Sequence, residues 1–132
     1  MTRLVVSTRD RQRGDGLVEF ALVLPVLLLL LFGILDGGRA VYAYHVVANS
    51  AREGARYASV TTRTADQVRS RVLTYAVALD PARVSVIVRY PTATTVQVEV
   101  RYDFSLFTPV VAQAMGGNTL VLHSAATMYN GY

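Results

Sequence analysis

The sequence predicts an α+β fold: a long N-terminal membrane and stalk helix, a second helix, and a small three-stranded, mostly antiparallel sheet. Three observations favour it. An apolar run lies near the N-terminus, apolar residues at helical spacing follow it, and apolar and polar residues alternate in the C-terminal part. We expect a leader over 1–14, a transmembrane and stalk helix over 15–59, and a head over 60–132 packed on the stalk.

Composition limits the function classes. The 132 residues suffice for one domain, and 52% are hydrophobic, which is too many for a disordered chain. The absence of cysteine excludes disulfides and thiolate metal sites. The formal charge is +4, of which +3 falls within residues 1–14, and the chain has no lysine. Because the basic charge is not spread over the predicted head, we expect no nucleic-acid partner.

An uncharged apolar run extends from Phe20 to Leu35. With the apolar residues just before it, the run approaches the roughly 20 residues that a helix needs to cross a bilayer. Four arginines precede it: Arg3, Arg9, Arg11 and Arg13. The positive-inside rule therefore predicts a single pass with the N-terminus in the cytoplasm and the head outside.

A cleavable secretory signal is the alternative interpretation of this segment, with Val41-Tyr42-Ala43 as a passable cleavage site. Two features argue against it: the run is long for a signal-peptide core, and Glu19 lies at its front. A carboxylate near hydrocarbon is costly, which makes Glu19 a candidate functional residue with an N-terminal amine or an arginine as partner. The plainer alternative is an acid at the membrane interface.

Three stretches of the sequence carry a resemblance: Gly14-Asp15-Gly16-Leu17-Val18-Glu19-Phe20, then Ala21-Leu22-Val23-Leu24-Pro25, and later Ala51-Arg52-Glu53-Gly54-Ala55-Arg56. They resemble the TadE-like family of tight-adherence (Flp) pilus proteins. The resemblance implies that a prepilin peptidase cuts between Gly14 and Asp15. Glu19 would then be the fifth residue of the mature chain, followed by Phe20, and would neutralise the N-terminus of a neighbouring subunit and set the register between helices. Asp15 departs from the neutral or apolar residue of many prepilins, and Gly16 fits less well as a cut site because Glu19 would become the third residue.

What the resemblance implies about function is structural rather than enzymatic. We expect a minor pilin (pseudopilin) or pilus-assembly component of a tight-adherence type IV pilus system, with roles in cell adhesion or secretion. Its partners would be the prepilin peptidase, other pilins, pilus-assembly membrane proteins and the lipid bilayer. It would reside in the bacterial cytoplasmic (inner) membrane or, after assembly, in an extracellular pilus. The alternative is a permanently anchored single-pass protein whose head binds an envelope or secretion-system partner.

Three residues of the membrane helix are candidates for shaping it. Pro25 removes a helical hydrogen bond, and membrane packing accommodates the resulting kink. Gly33 and Gly37 form a G-x-x-x-G pattern that permits close helix approach, or they mark the exit of the helix from the membrane.

The helix is expected to continue as an amphipathic stalk to about Ser59. Its predicted apolar stripe comprises Val41, Tyr44, Ala48, Ala51, Ala55 and Ala58. Glu53 and Arg56 are spaced to pair at i, i+3 on another side, near Arg52. We call Arg52, Glu53, Gly54 and Arg56 the stalk motif. The resemblance connects this motif with assembly. The plainer interpretation is that its charged residues form a solvated face of the helix.

The head is predicted from capping and alternation. Thr64 and Gln67 have capping-box spacing and open a helix over 65–79. Apolar and polar residues alternate from Val84 and again from Val96, which predicts two strands joined by a hairpin at 91–94. Residues 119–129 are predicted to form a third strand. Between the last two strands, 106–117 is a loop or short helical turn.

No catalytic constellation, cofactor or metal site is expected. His45 on the stalk and His123 in the last strand are far apart in sequence and lack ligand-like partners at metal spacing. Glu99 and Asp103 are predicted on the solvated face of the second strand.

Overall fold

The structure, a computed structural model, describes residues 8–60 and 63–130, with side chains from residue 15 onwards. It confirms the predicted α+β class, with a long N-terminal helix, a second helix and a three-stranded antiparallel sheet. The elements are α1 (Thr8–Val60), α2 (Ala65–Tyr75), a 3₁₀ turn (Pro81–Arg83), β1 (Val84–Thr92), β2 (Thr95–Ser105), α3 (Pro109–Ala114) and β3 (Thr119–Tyr129).

Helix α1 is longer than predicted at its N-terminal end. It runs for 53 residues, so part of the predicted leader, residues 8–14, is continuous with the apolar helix segment. Residues 1–7, including Arg3, lie outside the described residues. At the other end, α1 stops at Val60, within one residue of the predicted stalk end.

The predicted stalk stripe is correct in its upper half and wrong in its lower half. Ala51, Ala55 and Ala58 are buried as expected and Ala48 is half-buried, but Val41 and Tyr44 are exposed. The lower part of the buried face is formed by Ala43 and Val47 instead. Several faces of this part of α1 are apolar, and the face that the sheet covers is the one with Ala43 and Val47.

Helix α2 begins at the predicted capping box. The Gln67 backbone N–H donates to Thr64 Oγ1 at 3.4 Å, and the Thr64 N–H donates to Gln67 Oε1 at 3.1 Å. The helix ends at Tyr75, four residues before the predicted Leu79. Ala78 adopts a φ of 63°, in the left-handed region that cannot continue a right-handed helix.

The sheet has the order β1-β2-β3 with both pairs antiparallel. The hairpin is tighter than the predicted 91–94 linker, because β1 extends to Thr92 and β2 begins at Thr95. The predicted third strand, 119–129, is confirmed, and the short helical turn predicted within 106–117 is α3. Gly116, with a φ of 80°, follows α3 in a conformation that favours glycine.

The two long helices cover one face of the sheet. Helix α1 packs on β2 and β3, and α2 packs on α1 and β1. Strand β2 runs antiparallel to α1: the space beside Gly54 is filled by Val98, whereas Phe104 lies beside Arg39. The C-terminal end of β2 therefore points toward the apolar half of α1. The buried core comprises Ala43, Val47, Ala51, Ala55, Ala58, Val68, Val72, Ala76, Leu79, Val84, Val96, Val98, Val100, Tyr102 and Phe104.

Candidate functional site

The first half of α1 extends beyond the head with its apolar side chains exposed. The most apolar 18-residue window of this helix has none of its residues buried within the described structure. The stretch 17–35 would be about 28 Å long at 1.5 Å per residue, close to the ~30 Å hydrocarbon thickness of a bilayer. By length and composition this helix can cross a membrane. A single N-terminal apolar helix of this kind is consistent with a membrane-anchored protein.

The predicted processing and register residues lie on the exposed front of α1. The backbone of Gly14 is helical, so the Gly14–Asp15 bond lies inside a continuous helix. The side chains of Asp15, Glu19 and Phe20 are exposed. Glu19 has no ion-pair partner among the residues whose side chains the structure describes. An acid in an apolar, exposed helix segment is available to a partner outside the chain.

The predicted kink and packing residues are also free of contacts with the head. Pro25 lies inside α1, where the missing N–H removes one helical hydrogen bond. A Cβ added at Gly33 or Gly37 would meet no atom of the described structure within 4 Å. The G-x-x-x-G surface is therefore open to another helix.

The junction between the apolar half of α1 and the head is built around Asp36, a residue that the sequence interpretation missed. Its side chain is only 3% exposed. Asp36 Oδ2 accepts a hydrogen bond from the Thr108 backbone N–H at 2.9 Å, and both carboxylate oxygens lie 3.2 Å from the Phe107 backbone N. The carboxylate thus binds the start of α3, more than 70 residues away in the chain.

Arg39, one helical turn above Asp36, completes this junction. Its Nη1 donates to Asp36 Oδ1 at 3.1 Å. The guanidinium carbon lies 4.0 Å from the ring centroid of Phe107 and 5.0 Å from that of Phe104, within cation–π range. The sequence carries only a weak signal for this ion pair. Asp36 is the first charged residue after the apolar run, and Arg39 follows it at i, i+3 spacing.

A cavity of about 230 Å³ opens beside this junction. Its lining includes no acid and no histidine, and Arg39 is its only charged residue. The lining residues are Gly38, Arg39, Tyr42, Ala43, Ala78, Leu79, Tyr102 and Phe104.

The stalk motif separates into an inward residue and an outward pair. Gly54 is buried: a Cβ at this position would lie 2.5 Å from Val72 Cγ2 and 3.2 Å from Val98 Cγ1. The predicted Glu53–Arg56 pair is confirmed, with Arg56 Nη2 3.1 Å from Glu53 Oε2 at the surface. Arg52 is exposed. The glycine is required by packing, whereas the charged residues face outward.

Glu99 lies on the predicted outer face of β2 but is not solvated as expected, since it is only 9% exposed. Arg101 Nε donates to its Oε1 at 2.7 Å, and Arg89 Nη1 lies 3.6 Å from Oε2. The long arginine side chains cover the carboxylate. The hydrogen bond from Arg101 holds the pKa of Glu99 below its ordinary value against the opposing effect of burial, and the neighbouring positive charges lower it further.

A second arginine cluster, also missed by the sequence interpretation, joins α2 to the top of α1. The guanidinium carbon of Arg63 lies 4.6 Å from the Tyr57 ring centroid, and that of Arg71, on α2, lies 5.7 Å from the same centroid and 4.8 Å from the Tyr75 centroid. Arg71 Nη2 also donates to the Tyr75 hydroxyl at 3.1 Å. Tyr57 and Tyr75 thus serve as partners for arginines within the head.

In the part of the chain that the structure describes, no group of three or more histidine, cysteine, aspartate or glutamate side chains could hold a metal ion. His45 lies on α1 next to Tyr44, and His123 lies on β3 opposite Arg101.

Comparison with known proteins connects these features. Residues 14–56 match the family model of TadE-like proteins. No curated protein and no solved structure matched the chain. The matched segment covers about a third of the chain and contains the glycine–glutamate element, the apolar helix and the stalk motif. It confirms the predicted resemblance: residues 14–56 form a TadE-like segment, which relates this protein and its N-terminal apolar helix to tight-adherence pilus systems.

Proposed function

We propose that this protein is a minor pilin (pseudopilin) or pilus-assembly component of a tight-adherence type IV pilus system, matured by a prepilin peptidase that cuts after Gly14. One observation carries the proposal. The TadE-like segment coincides with a helix whose apolar half is exposed and whose front carries an exposed glutamate five residues after a glycine.

The proposed topology is a single pass through the bacterial cytoplasmic membrane. The arginines of residues 1–14 would remain in the cytoplasm, and the head would lie outside. Cleavage would remove this basic leader and leave a helix that begins with Asp15. The mature helix could then leave the bilayer and enter a filament without carrying four arginines through hydrocarbon.

The proposed assembly chemistry centres on Glu19. Cleavage at Gly14 creates an α-amino group, and an ammonium and a carboxylate attract strongly in apolar surroundings. The Glu19 carboxylate of one subunit would pair with the amino terminus of a neighbour, and Phe20 would pack beside it. The open surface at Gly33 and Gly37 would allow the two helices to approach closely.

In this proposal the head contributes contacts rather than catalysis. The proposed partners are the prepilin peptidase, other pilins, pilus-assembly membrane proteins and lipid. Arg52, Glu53 and Arg56 would contribute their outward charges to contacts between subunits, while Gly54 keeps the stalk close to the head.

The test is the N-terminus of the full chain expressed with and without a prepilin peptidase of a tight-adherence system, determined by intact mass and peptide mapping. We expect a start at Asp15 only when the peptidase is present, and no processing of Gly14→Arg. Gly16→Ala is the matched control and should be cut at the same bond.

Other N-termini would contradict the proposal in different ways. A start at Leu17 would assign the cut to Gly16 and break the spacing to Glu19. A chain that keeps Met1 or Thr2 would favour a permanently anchored protein whose head binds an envelope partner. A start near Tyr44 would identify a secretory signal.

A further inference from the structure

The connection between β2 and β3 is an apolar surface at the lower end of the head. We call residues 106–118 the junction loop; it contains α3 and is closed by a hydrogen bond from the Leu106 N–H to the Asn118 carbonyl at 3.0 Å. No charged residue occurs anywhere from residue 104 to residue 132. The exposed fractions of Phe107, Val110 and Met115 are 74%, 55% and 56%. Three large apolar side chains exposed on one uncharged loop mark a candidate contact surface.

The position of the junction loop is fixed by Asp36. Leu35 is the last residue of the uncharged run, and Asp36 immediately follows it. Because the Asp36 carboxylate accepts hydrogen bonds from the backbone N–H groups of Phe107 and Thr108, α3 starts at the level where the apolar half of α1 ends. If residues 17–35 fill the hydrocarbon layer, this level is its boundary with the headgroups.

Arg39 lies at the same boundary, on the side of the headgroups. Its side chain is 42% exposed, and its guanidinium stacks on the Phe107 ring at 4.0 Å. One guanidinium nitrogen, Nη1, is bound to Asp36, and the other N–H groups of Arg39 can reach lipid phosphates from this level while the side-chain stem lies on apolar surface. The apolar loop and the charged arginine beside it match the change from hydrocarbon to polar headgroups across a bilayer interface.

We propose that the junction loop is a second membrane contact, in which Phe107, Val110 and Met115 enter the interfacial region of the leaflet on the side of the head. The proposal rests on the membrane anchorage put forward above and adds a second point of attachment. With α1 and the loop both in contact with lipid, the head has one fixed orientation to the membrane plane before any assembly. Continuity with the apolar half of α1 is what selects lipid as the occupant of this surface.

The absence of tryptophan from the chain makes single-tryptophan fluorescence the direct test. The full chain is reconstituted in phospholipid vesicles whose acyl chains carry bromine close to the headgroups. Phe107→Trp and Val110→Trp report on the loop. Phe32→Trp, in the apolar half of α1, reports on the anchor. Tyr90→Trp is the matched exposed control, because it lies near the opposite end of the sheet, about 31 Å from Ser105 at ~3.4 Å per residue.

We expect both loop tryptophans to lose emission to the brominated lipid and to be protected from acrylamide in water, whereas Tyr90→Trp shows the reverse. Quenching of Phe32→Trp by lipid, with both loop tryptophans quenched only by acrylamide, would overturn the loop contact and leave the anchorage intact. Loop tryptophans shielded from both quenchers would overturn the lipid contact and assign the surface to a second copy of the chain. A Phe32→Trp signal that lipid does not quench would refute the anchorage itself, and the loop contact with it.

Discussion

Asp36 and Thr108 are joined by a buried 2.9 Å hydrogen bond from the Thr108 backbone N–H to the Asp36 carboxylate. The bond connects the end of the apolar helix segment to the start of α3, and Arg39 compensates the buried negative charge from the other side. A charged acceptor makes such bonds shorter and stronger than neutral ones. The contact therefore fixes where the head stands relative to the apolar half of α1.

Asp36→Ala should destabilise the head. The buried Thr108 N–H would lose its acceptor, and a buried donor left unsatisfied costs about 1–3 kcal/mol. The measurement is thermal unfolding of the full chain in detergent, followed by circular dichroism. Asp103→Ala, an exposed acid on β2, is the control and should have little effect. Equal unfolding temperatures for the two variants would show that the Asp36 contact does not stabilise the head.

The sequence predicted the local features well because short-range chemistry determines them. The Thr64 capping box, the alternation along β2 and the third strand all depend on residues that are close in the chain. The class of fold followed from these elements, since two helices and three strands with one apolar side each must share one core.

Features that depend on distant residues were missed or misplaced. The role of Asp36 requires knowledge of where Phe107 and Thr108 lie, more than 70 residues away. The stripe on α1 was misplaced at Val41 and Tyr44 because several helix faces there are apolar, and only the sheet decides which one is buried. Glu99 was expected in solvent because its arginine cover comes partly from a neighbouring strand.

Gly54→Ala should destabilise the packing between α1, α2 and β2. The added methyl would lie 2.5 Å from Val72 Cγ2, so the core must shift, and overpacking of this kind costs about 1–3 kcal/mol. Gly38→Ala is the matched control, because a Cβ there meets nothing within 4 Å. In a helix this control should be neutral or stabilising, by about 0.5–1 kcal/mol. Thermal unfolding in detergent would contradict the packing argument if both alanine variants were as stable as the wild type.

Glu99 should make stability depend on pH in the acidic range. Its pKa in the folded protein is lowered, so its contribution is present above the ordinary glutamate pKa and is lost as the pH falls through the lower folded-state value. Relative to Glu99→Gln, the wild type should therefore be more stable at neutral pH and lose this advantage on acidification. Unfolding curves over a pH series provide the comparison, with Asp103→Asn on the same strand as the control. A wild-type advantage that grows on acidification would refute the sign of this effect.

Glu19→Gln should leave membrane insertion intact and impair incorporation into pilus assemblies. The amide has the same shape but cannot neutralise the α-amino group of a neighbouring subunit in apolar surroundings, and removing one partner of a buried ion pair costs about 3–5 kcal/mol. The measurement is the amount of protein in the membrane and in sheared pilus fractions of cells that carry the complete assembly system. Asp103→Asn, which removes an exposed acid from the head, is the control for a general loss of charge. If Glu19→Gln begins at Asp15 and reaches the pilus fraction in wild-type amounts, the pairing is excluded. Processing would then have supplied the α-amino group, and assembly would not have needed the carboxylate.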